Sequence, residues 1–278
     1  MKQRHNPWIK TSLAWRWVKY WKEPARPLKQ ELKYIKDLAL RIKMKSKNPQ
    51  VLILGSTSEY RDLMIDLGIK ATVVDFWPEN YRILSHRMKH FKQYKNYEIY
   101  MRSKWQILNV GEKFDLVIGH FALNVIPFGQ WEKIIKNIRK HLKDSGVFLT
   151  NCWVRFDNQI PNIKEIVDEY QKRWKDKYGL WQAMMAKLYL SAYDVNKEWM
   201  TYPELSQIIE NSYKEKMLLE KDYKDYLQMG YKYYNFRLVI PNKKMVIELF
   251  KKYFNLKKLV YFDYPCYKYM PDFYLVNK

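Results

Sequence analysis

The sequence predicts an α/β protein: a mostly parallel sheet with helices on both faces, finished by an antiparallel hairpin strand. N-terminal helices precede it, and a helical insertion comes before the last two strands. Two observations carry this. Short continuous apolar runs alternate with amphipathic segments, and the connections between them are short, as in sheets buried on both faces. Late in the chain the alternation stops, turns helical and then resumes as two β-like runs.

In order, residues 8 to 22 set Trp8, Trp15, Trp17 and Trp21 among basic residues, and Pro24 and Pro27 stop that segment. From Leu28, the positions Leu32, Ile35, Leu38, Ala39 and Ile42 recur at helical spacing, which predicts one buried stripe with lysines opposite. Val51 to Leu54 reads as a buried strand closed by Gly55, Asp62 to Leu67 as a helix ended by Gly68, and Ala71 to Val74 as a second strand ending at Asp75. Trp77 and Pro78 open a helix expected to reach about His90. Phe114 to Ile118 is a further strand. Trp131, Ile134, Ile135, Ile138 and Leu142 form the face of the next helix, which Gly146 is expected to cap before the strand Val147 to Asn151. Leu256 to Phe262 and Asp272 to Val276 complete the sheet. The expected divisions are a basic, Trp-rich helical segment over 1–48, a cofactor-binding core over 49–160, a helical substrate-covering insertion over 161–254, and the last core strands over 255–278.

The 278 residues, 47% hydrophobic and 29% charged, are ordinary for a folded chain and exclude a disordered one. No apolar run is long enough to span a bilayer, and Lys2, Arg4, Trp8 and Lys10 do not form a signal core, so a cytoplasmic protein is expected. Two cysteines, Cys152 and Cys266, and no metal-ligand spacing predict neither a disulfide framework nor a zinc site. The formal charge is +22, and residues 1 to 50 hold 14 basic against 3 acidic side chains. Such a field suits nucleic acid, acidic lipid or an anionic substrate, while the Lys, Tyr, Asn and Ile bias equally fits an AT-rich genome.

In a parallel α/β sheet a ligand binds beyond the carboxyl ends of the strands. Gly55 lets backbone approach a ligand there, and the N–H groups of Ser56 to Tyr60 open a helix at its positive end, suited to a carboxylate or phosphate. Asp75, about twenty residues on, is placed to accept from both hydroxyls of a ribose. Together they imply a nucleoside-bearing cofactor. Thr57 and Tyr60 stand where a dinucleotide fingerprint has its later glycines, leaving less room for a pyrophosphate.

Four stretches in order resemble class I S-adenosylmethionine-dependent methyltransferases, whose fold is Rossmann-like: Val51 to Tyr60, Val73-Val74-Asp75-Phe76, Lys113 to His120, and Ile138 through Leu142 to Phe148. The resemblance implies S-adenosylmethionine as cofactor. Gly55, Ser56 and Thr57 would hold its methionine part, Asp75 its ribose, and Phe76, Trp105 and Gln106 its adenine, with His120 beside its reactive end. The chain departs from the family pattern at Ile53, usually acidic, at Thr57 and Glu59, usually glycine, and at Lys104. Glu59 either supplies the missing carboxylate or is an acidic residue favoured in a first helical turn.

Methyl transfer needs an aligned nucleophile and, where that carries a proton, a base. His120, directly after a strand, is the expected base because an ordinary imidazole titrates near pH 6.5, and Asn124 would orient the substrate. Aromatic segments from Trp174 to Tyr193, Trp199 to Tyr202 and Tyr231 to Phe236 either wall a pocket for an aromatic or cationic small molecule or form a helical core. The expected activity is methyl transfer to N, O or C of a small molecule or side chain, by direct displacement without a metal. RNA methylation through the basic N-terminus and a non-catalytic binding module are the alternatives.

Overall fold

The computed structural model describes residues 19–20, 22–156, 160–230 and 237–278. The four N-terminal tryptophans and the run Tyr231 to Phe236 lie outside the described residues. The chain divides into two compact units, one formed by Arg26–Cys152, Lys244–Phe262 and Pro271–Lys278, the other by Met1–Ala25, Trp153–Lys243 and Asp263–Met270.

The first unit holds a seven-stranded sheet in the spatial order Glu98–Arg102 (β3), Ala71–Asp75 (β2), Val51–Leu54 (β1), Phe114–His120 (β4), Leu142–Asn151 (β5), Asp272–Asn277 (β10) and Phe254–Val260 (β9). β1 (Val51–Leu54) and β2 (Ala71–Asp75) are buried at every position, as their unbroken apolar runs require. β1 pairs in parallel with β2 and with β4 (Phe114–His120), and β4 with β5 (Leu142–Asn151). β10 (Asp272–Asn277) runs antiparallel to both β5 and β9 (Phe254–Val260), so the expected hairpin strand is present.

Helix α1 (Lys29–Lys45) buries Ile35, Leu38 and Ala39 against Val51, Ile53, Met64, Leu116 and Ile118, with Leu32 and Ile42 half-buried at the margin. Helix α2 (Ser58–Asp66) begins four residues before the expected start and is followed by Gly68 at φ +62°. Helix α3 (Pro78–Ser85) stops short of His90. A tertiary contact competes with the helix: the backbone N–H groups of Lys89 and His90 donate to the Asp62 carboxylate of α2 at 2.9 and 3.0 Å, and this stretch folds as turns.

Within this sheet the apolar pattern misses one strand, β3 (Glu98–Arg102), which pairs in parallel with β2 at the sheet's edge. Exposure explains the miss, because Ile99 is 61% exposed and the polar Glu98 and Arg102 break any apolar run. Helix α4 (Trp131–Lys140) buries Trp131, Ile134, Ile135 and Ile138 as expected. The expectation that Gly146 caps it is corrected: the helix ends at Lys140, Leu142 opens β5, and Gly146 lies inside that strand. Its requirement for glycine is one of space, since a Cβ there would meet the Phe114 carbonyl at 2.8 Å and Leu142 Cδ2 at 2.9 Å.

The second unit packs helices α5 (Ile163–Arg173), α6 (Leu180–Ser191), α7 (Tyr202–Lys214) and α8 (Glu220–Met229) with a three-stranded sheet of β6 (Tyr193–Asp194), β7 (Trp199–Thr201) and β8 (Arg237–Leu238), strands that the helical reading of this stretch did not expect. Its aromatics fill its core: Trp181 stacks on Tyr226 with centroids 4.9 Å apart, and Tyr189 meets Trp153 edge-on at 5.6 Å. Helix α9 (Lys243–Tyr253) leads into β9 and packs Phe250 on Phe148 and Phe273 of the sheet.

Candidate functional site

Strand register brings the predicted residues to one line. Leu54 pairs with Val74 on one side and Gly119 on the other. One residue further, Gly55 therefore lies between Asp75 and His120. The line continues through the pairs Asp75 with Arg102, His120 with Asn151, and Asn151 with Asp272. Neighbours in register share a sheet face, so the carboxylate of Asp75 and the imidazole of His120 flank Gly55 at the carboxyl ends of β2 and β4, two strand spacings or about 10 Å apart along the sheet.

Gly55 adopts φ +83°, a conformation that favours glycine, and its N–H donates to the Val74 carbonyl at 2.8 Å. The chain then turns directly into α2. Thr57 at the N-cap makes no side-chain cap bond, so the opening N–H groups of that helix depend on other partners. Ser56 Oγ donates to Asp75 Oδ2 at 2.7 Å and Trp77 N–H to Asp75 Oδ1 at 3.0 Å. Burial nevertheless raises the Asp75 carboxyl from 3.8 to about 6, outweighing these hydrogen bonds and those from Phe76 N–H and the Asn80 side chain.

Trp105 reaches the same place. Its Nε1 donates to the Val74 carbonyl at 3.0 Å, and its Cζ2 lies 3.9 Å from where a Cβ of Gly55 would sit. Its carbonyl accepts from Asn137 Nδ2 at 2.8 Å, which anchors the turn to α4. Phe76 is half-buried, meets Trp77 edge-on at 4.8 Å, and has Arg102 and Lys104 over its ring at 5.8 and 5.4 Å. Lys104 thus serves the ring of Phe76. Gln106, next to Trp105 in the same turn, donates through its Nε2 to Gln130 Oε1 at 2.9 Å. Glu59 accepts from Ser58 Oγ at 2.9 Å and pairs with Arg87 at 3.9 Å and Arg26 at 4.0 Å.

At the end of β4 the sequence misses a buried polar cluster. The side chain of His120 is 2% exposed and that of Glu31, on α1, is fully buried. Glu31 Oε1 accepts from the Tyr60 hydroxyl and lies 3.3 Å from His120 Nδ1, while Oε2 accepts from Leu28 N–H at 3.3 Å. Burial first, then the carboxylates of Glu31 and Asp272, hold the Tyr60 phenol well above its usual range, so it remains a donor. Asn151 Nδ2 lies 2.9 Å from His120 Nδ1, and Asn151 Oδ1 accepts from Phe121 N–H at 2.8 Å. Phe121 itself stands at φ +50°. Glu31 is 89 residues from His120 in sequence; it stands four and seven residues before Ile35 and Leu38, so helical spacing places it on the buried stripe of α1, a signal that the acidic residue type conceals. Asn124 is fully buried within the short turn Leu123–Val125. Among the described residues no group of three or more His, Cys, Asp and Glu side chains is arranged to hold a metal ion, and no helix is long and apolar enough to cross a membrane.

No protein-family profile matches the chain, and no curated protein matches its sequence. Solved structures do match. A Rhodobacter sphaeroides protein described provisionally as a Zn-dependent alcohol dehydrogenase aligns at TM-score 0.53 and 14% identity over 97% of this chain and 99% of that one. The PH0226 protein of Pyrococcus horikoshii OT3 aligns at 0.51 and 15%, covering 91% and 93%. The glycopeptide N-methyltransferase MtfA, complexed with S-adenosyl-L-methionine, aligns at 0.51 and 11%, covering 89% and 94%. Identities this low speak to architecture alone: the chain has a Rossmann-like α/β fold, which MtfA shares.

Proposed function

We propose that this protein is an S-adenosylmethionine-dependent methyltransferase acting on N, O or C of a small molecule or side chain by direct displacement without a metal. The observation that carries the reading is the line Asp75, Gly55, His120 at the carboxyl ends of three adjacent strands. A left-handed glycine, a helix start without a side-chain cap and a buried carboxylate fit the three polar parts of such a cofactor. Gly55, Ser56 and Thr57 would present backbone to its amino-acid end, Asp75 would accept from the ribose hydroxyls, and Phe76 and Trp105 would bound the adenine, with Gln106 at its edge and His120 beside the reactive end. When bound, the cofactor supplies an electrophilic methyl group.

The protein's own contribution is position and dryness. Asp75 is 7% exposed, so any hydrogen bond it makes to a hydroxyl forms away from competing water. Charge-assisted bonds of this kind contribute about 1.5–3 kcal/mol. Asn124, buried in the turn that follows β4, would orient the substrate. The fold shared with an N-methyltransferase that acts on a glycopeptide supports a small-molecule acceptor.

Isothermal titration of the full chain with S-adenosylmethionine, beside an Asp75→Ala variant, tests the reading. Binding heat with the wild type and its loss in the variant are expected; no heat with either protein removes the proposal.

A further inference from the structure

The polar cluster behind His120 fixes where its proton sits. Phe121 N–H donates to Asn151 Oδ1 at 2.8 Å, which settles the orientation of the Asn151 amide and leaves Nδ2 as the atom facing His120. Nδ2 can only donate. At 2.9 Å from His120 Nδ1, it requires a lone pair on that ring nitrogen, and a neutral imidazole with its lone pair on Nδ1 carries its hydrogen on Nε2. The alternative, Nδ1–H donating to Glu31 Oε1 across 3.3 Å, would set two donors against each other at 2.9 Å.

Nε2 is then a hydrogen-bond donor, and among the described residues it has no partner although it is buried. Buried donors are almost always satisfied, and the exceptions call for an explanation. The ring itself packs against Tyr60, edge-on at 6.1 Å, and Phe121 at 4.2 Å. Phe121 keeps a left-handed backbone, and a non-glycine residue in that region persists where its surroundings over-determine it. Here the bond from its N–H to Asn151 does so, and the same amide orients the imidazole.

We infer that His120 is a fixed donor whose Nε2–H receives an oxygen of the methyl-accepting molecule, with Asn151 as the positioning residue that locks the tautomer and Glu31 and Tyr60 closing the Nδ1 side. This deepens the methyltransferase reading and rests on it only in naming the owner of that oxygen. It replaces the expectation that His120 is a base, because an Nε2 that already bears hydrogen has no lone pair with which to take the acceptor's proton. The acceptor's proton therefore does not pass to His120 Nε2; a neutral amine fits, because it attacks through its own lone pair and the ammonium that results gives its proton to solvent afterwards.

The test is the imidazole 1H–15N correlation spectrum of the full-length labelled protein. The chain has five histidines, and the His120 signals are assigned by their loss in His120→Gln. Nε2 protonated and Nδ1 unprotonated at neutral pH is expected; the reverse tautomer, or an exchanging mixture, overturns the inference. Added acetate, as an oxygen probe, is expected to move the Nε2–H resonance downfield in a saturable way, and an unmoved resonance also overturns it. Asn151→Asp keeps an acceptor for Phe121 N–H and offers a carboxylate to Nδ1–H, so the tautomer is expected to invert; an unchanged tautomer refutes the role of Asn151. If that variant does not fold, the wild-type spectrum still decides. Absence of S-adenosylmethionine binding alongside a protonated Nε2 removes the methyltransferase reading alone, whereas cofactor binding with a protonated Nδ1 removes the donor alone.

Discussion

Replacing Asp75 by Asn is expected to move stability and cofactor affinity in opposite directions. Burial raises this carboxyl from 3.8 to about 6, which means the folded protein holds a proton more tightly there than the unfolded chain does. The unfavourable contribution is absent below pH 3.8, grows as pH rises and is complete above about 6, because in that window the folded state binds more protons than the unfolded one. At about 1.36 kcal/mol per decade the ceiling is about 3 kcal/mol. Asn has the same shape and an amide oxygen to accept from Trp77 N–H or Ser56 Oγ, but one of the two bonds weakens, at about 1 kcal/mol. Asp75→Asn should then be about 1–2 kcal/mol more stable at pH 7, with the gain vanishing below pH 4. Urea unfolding of both proteins from pH 4 to 8 measures it. A variant that is less stable at pH 7, or a difference that does not change with pH, would refute the claim that desolvation dominates at this carboxyl. On the proposed function the same variant binds S-adenosylmethionine roughly tenfold or more weakly, since a charged acceptor has become a neutral one.

Arg61 and Glu98 form an ion pair with side-chain exposures of 0% and 1%, and the guanidinium also donates to Ser85 Oγ and lies 4.3 Å over the Tyr81 ring. Arg61→Ala should cost about 3–5 kcal/mol in urea unfolding because it strands a buried carboxylate, and replacing both partners by apolar residues should recover most of that loss. Gly146→Ala should cost about 1–3 kcal/mol, since its Cβ would meet two backbone oxygens at 2.8 and 2.9 Å. Gly55→Ala has room for its Cβ, which would sit 3.9 Å from Trp105, so a loss of about 1–2 kcal/mol would come from φ +83° alone. A Gly55→Ala protein as stable as the wild type would refute that strain.

What the chain discloses before folding is what repeats. Val51 to Leu54 and Ala71 to Val74 are apolar at each position because both sheet faces are covered, and the stripe on α4 recurs because one face of that helix is buried. Gly55 and Asp75 are legible for the same reason, as they end those runs. β3 is not, because an edge strand needs no apolar run. The cluster of Glu31, Tyr60, His120 and Asn151 joins α1, α2, β4 and β5, and its members are adjacent only through tertiary packing. Glu31 falls in helical register with Ile35 and Leu38 and so on the buried stripe, but an acid at such a place is ordinarily read as solvated. It also sits three residues after Leu28, where its carboxylate accepts the Leu28 N–H, as an acid in a first turn often does.

Glu59 shows how a departure from a pattern can be read physically. It is not a free carboxylate at the mouth of the β1 loop, since Ser58 Oγ, Arg87 and Arg26 all reach it within 4.0 Å. Two guanidinium groups therefore surround one carboxylate at the start of α2, where the helix dipole adds further positive potential. Burial lowers the pKa of Arg87, with Glu59 opposing that shift, and a guanidinium stays charged throughout. The net local field is positive. On the proposed function, that field favours the carboxylate of the cofactor's amino-acid end at α2 and disfavours its ammonium there. Glu59 then acts by holding Arg26 and Arg87 in place, and Glu59→Gln should weaken S-adenosylmethionine binding only slightly, whereas Arg87→Gln should weaken it several-fold. Titration calorimetry of the two variants measures the contrast, and the opposite order would mean that Glu59 takes the ammonium itself.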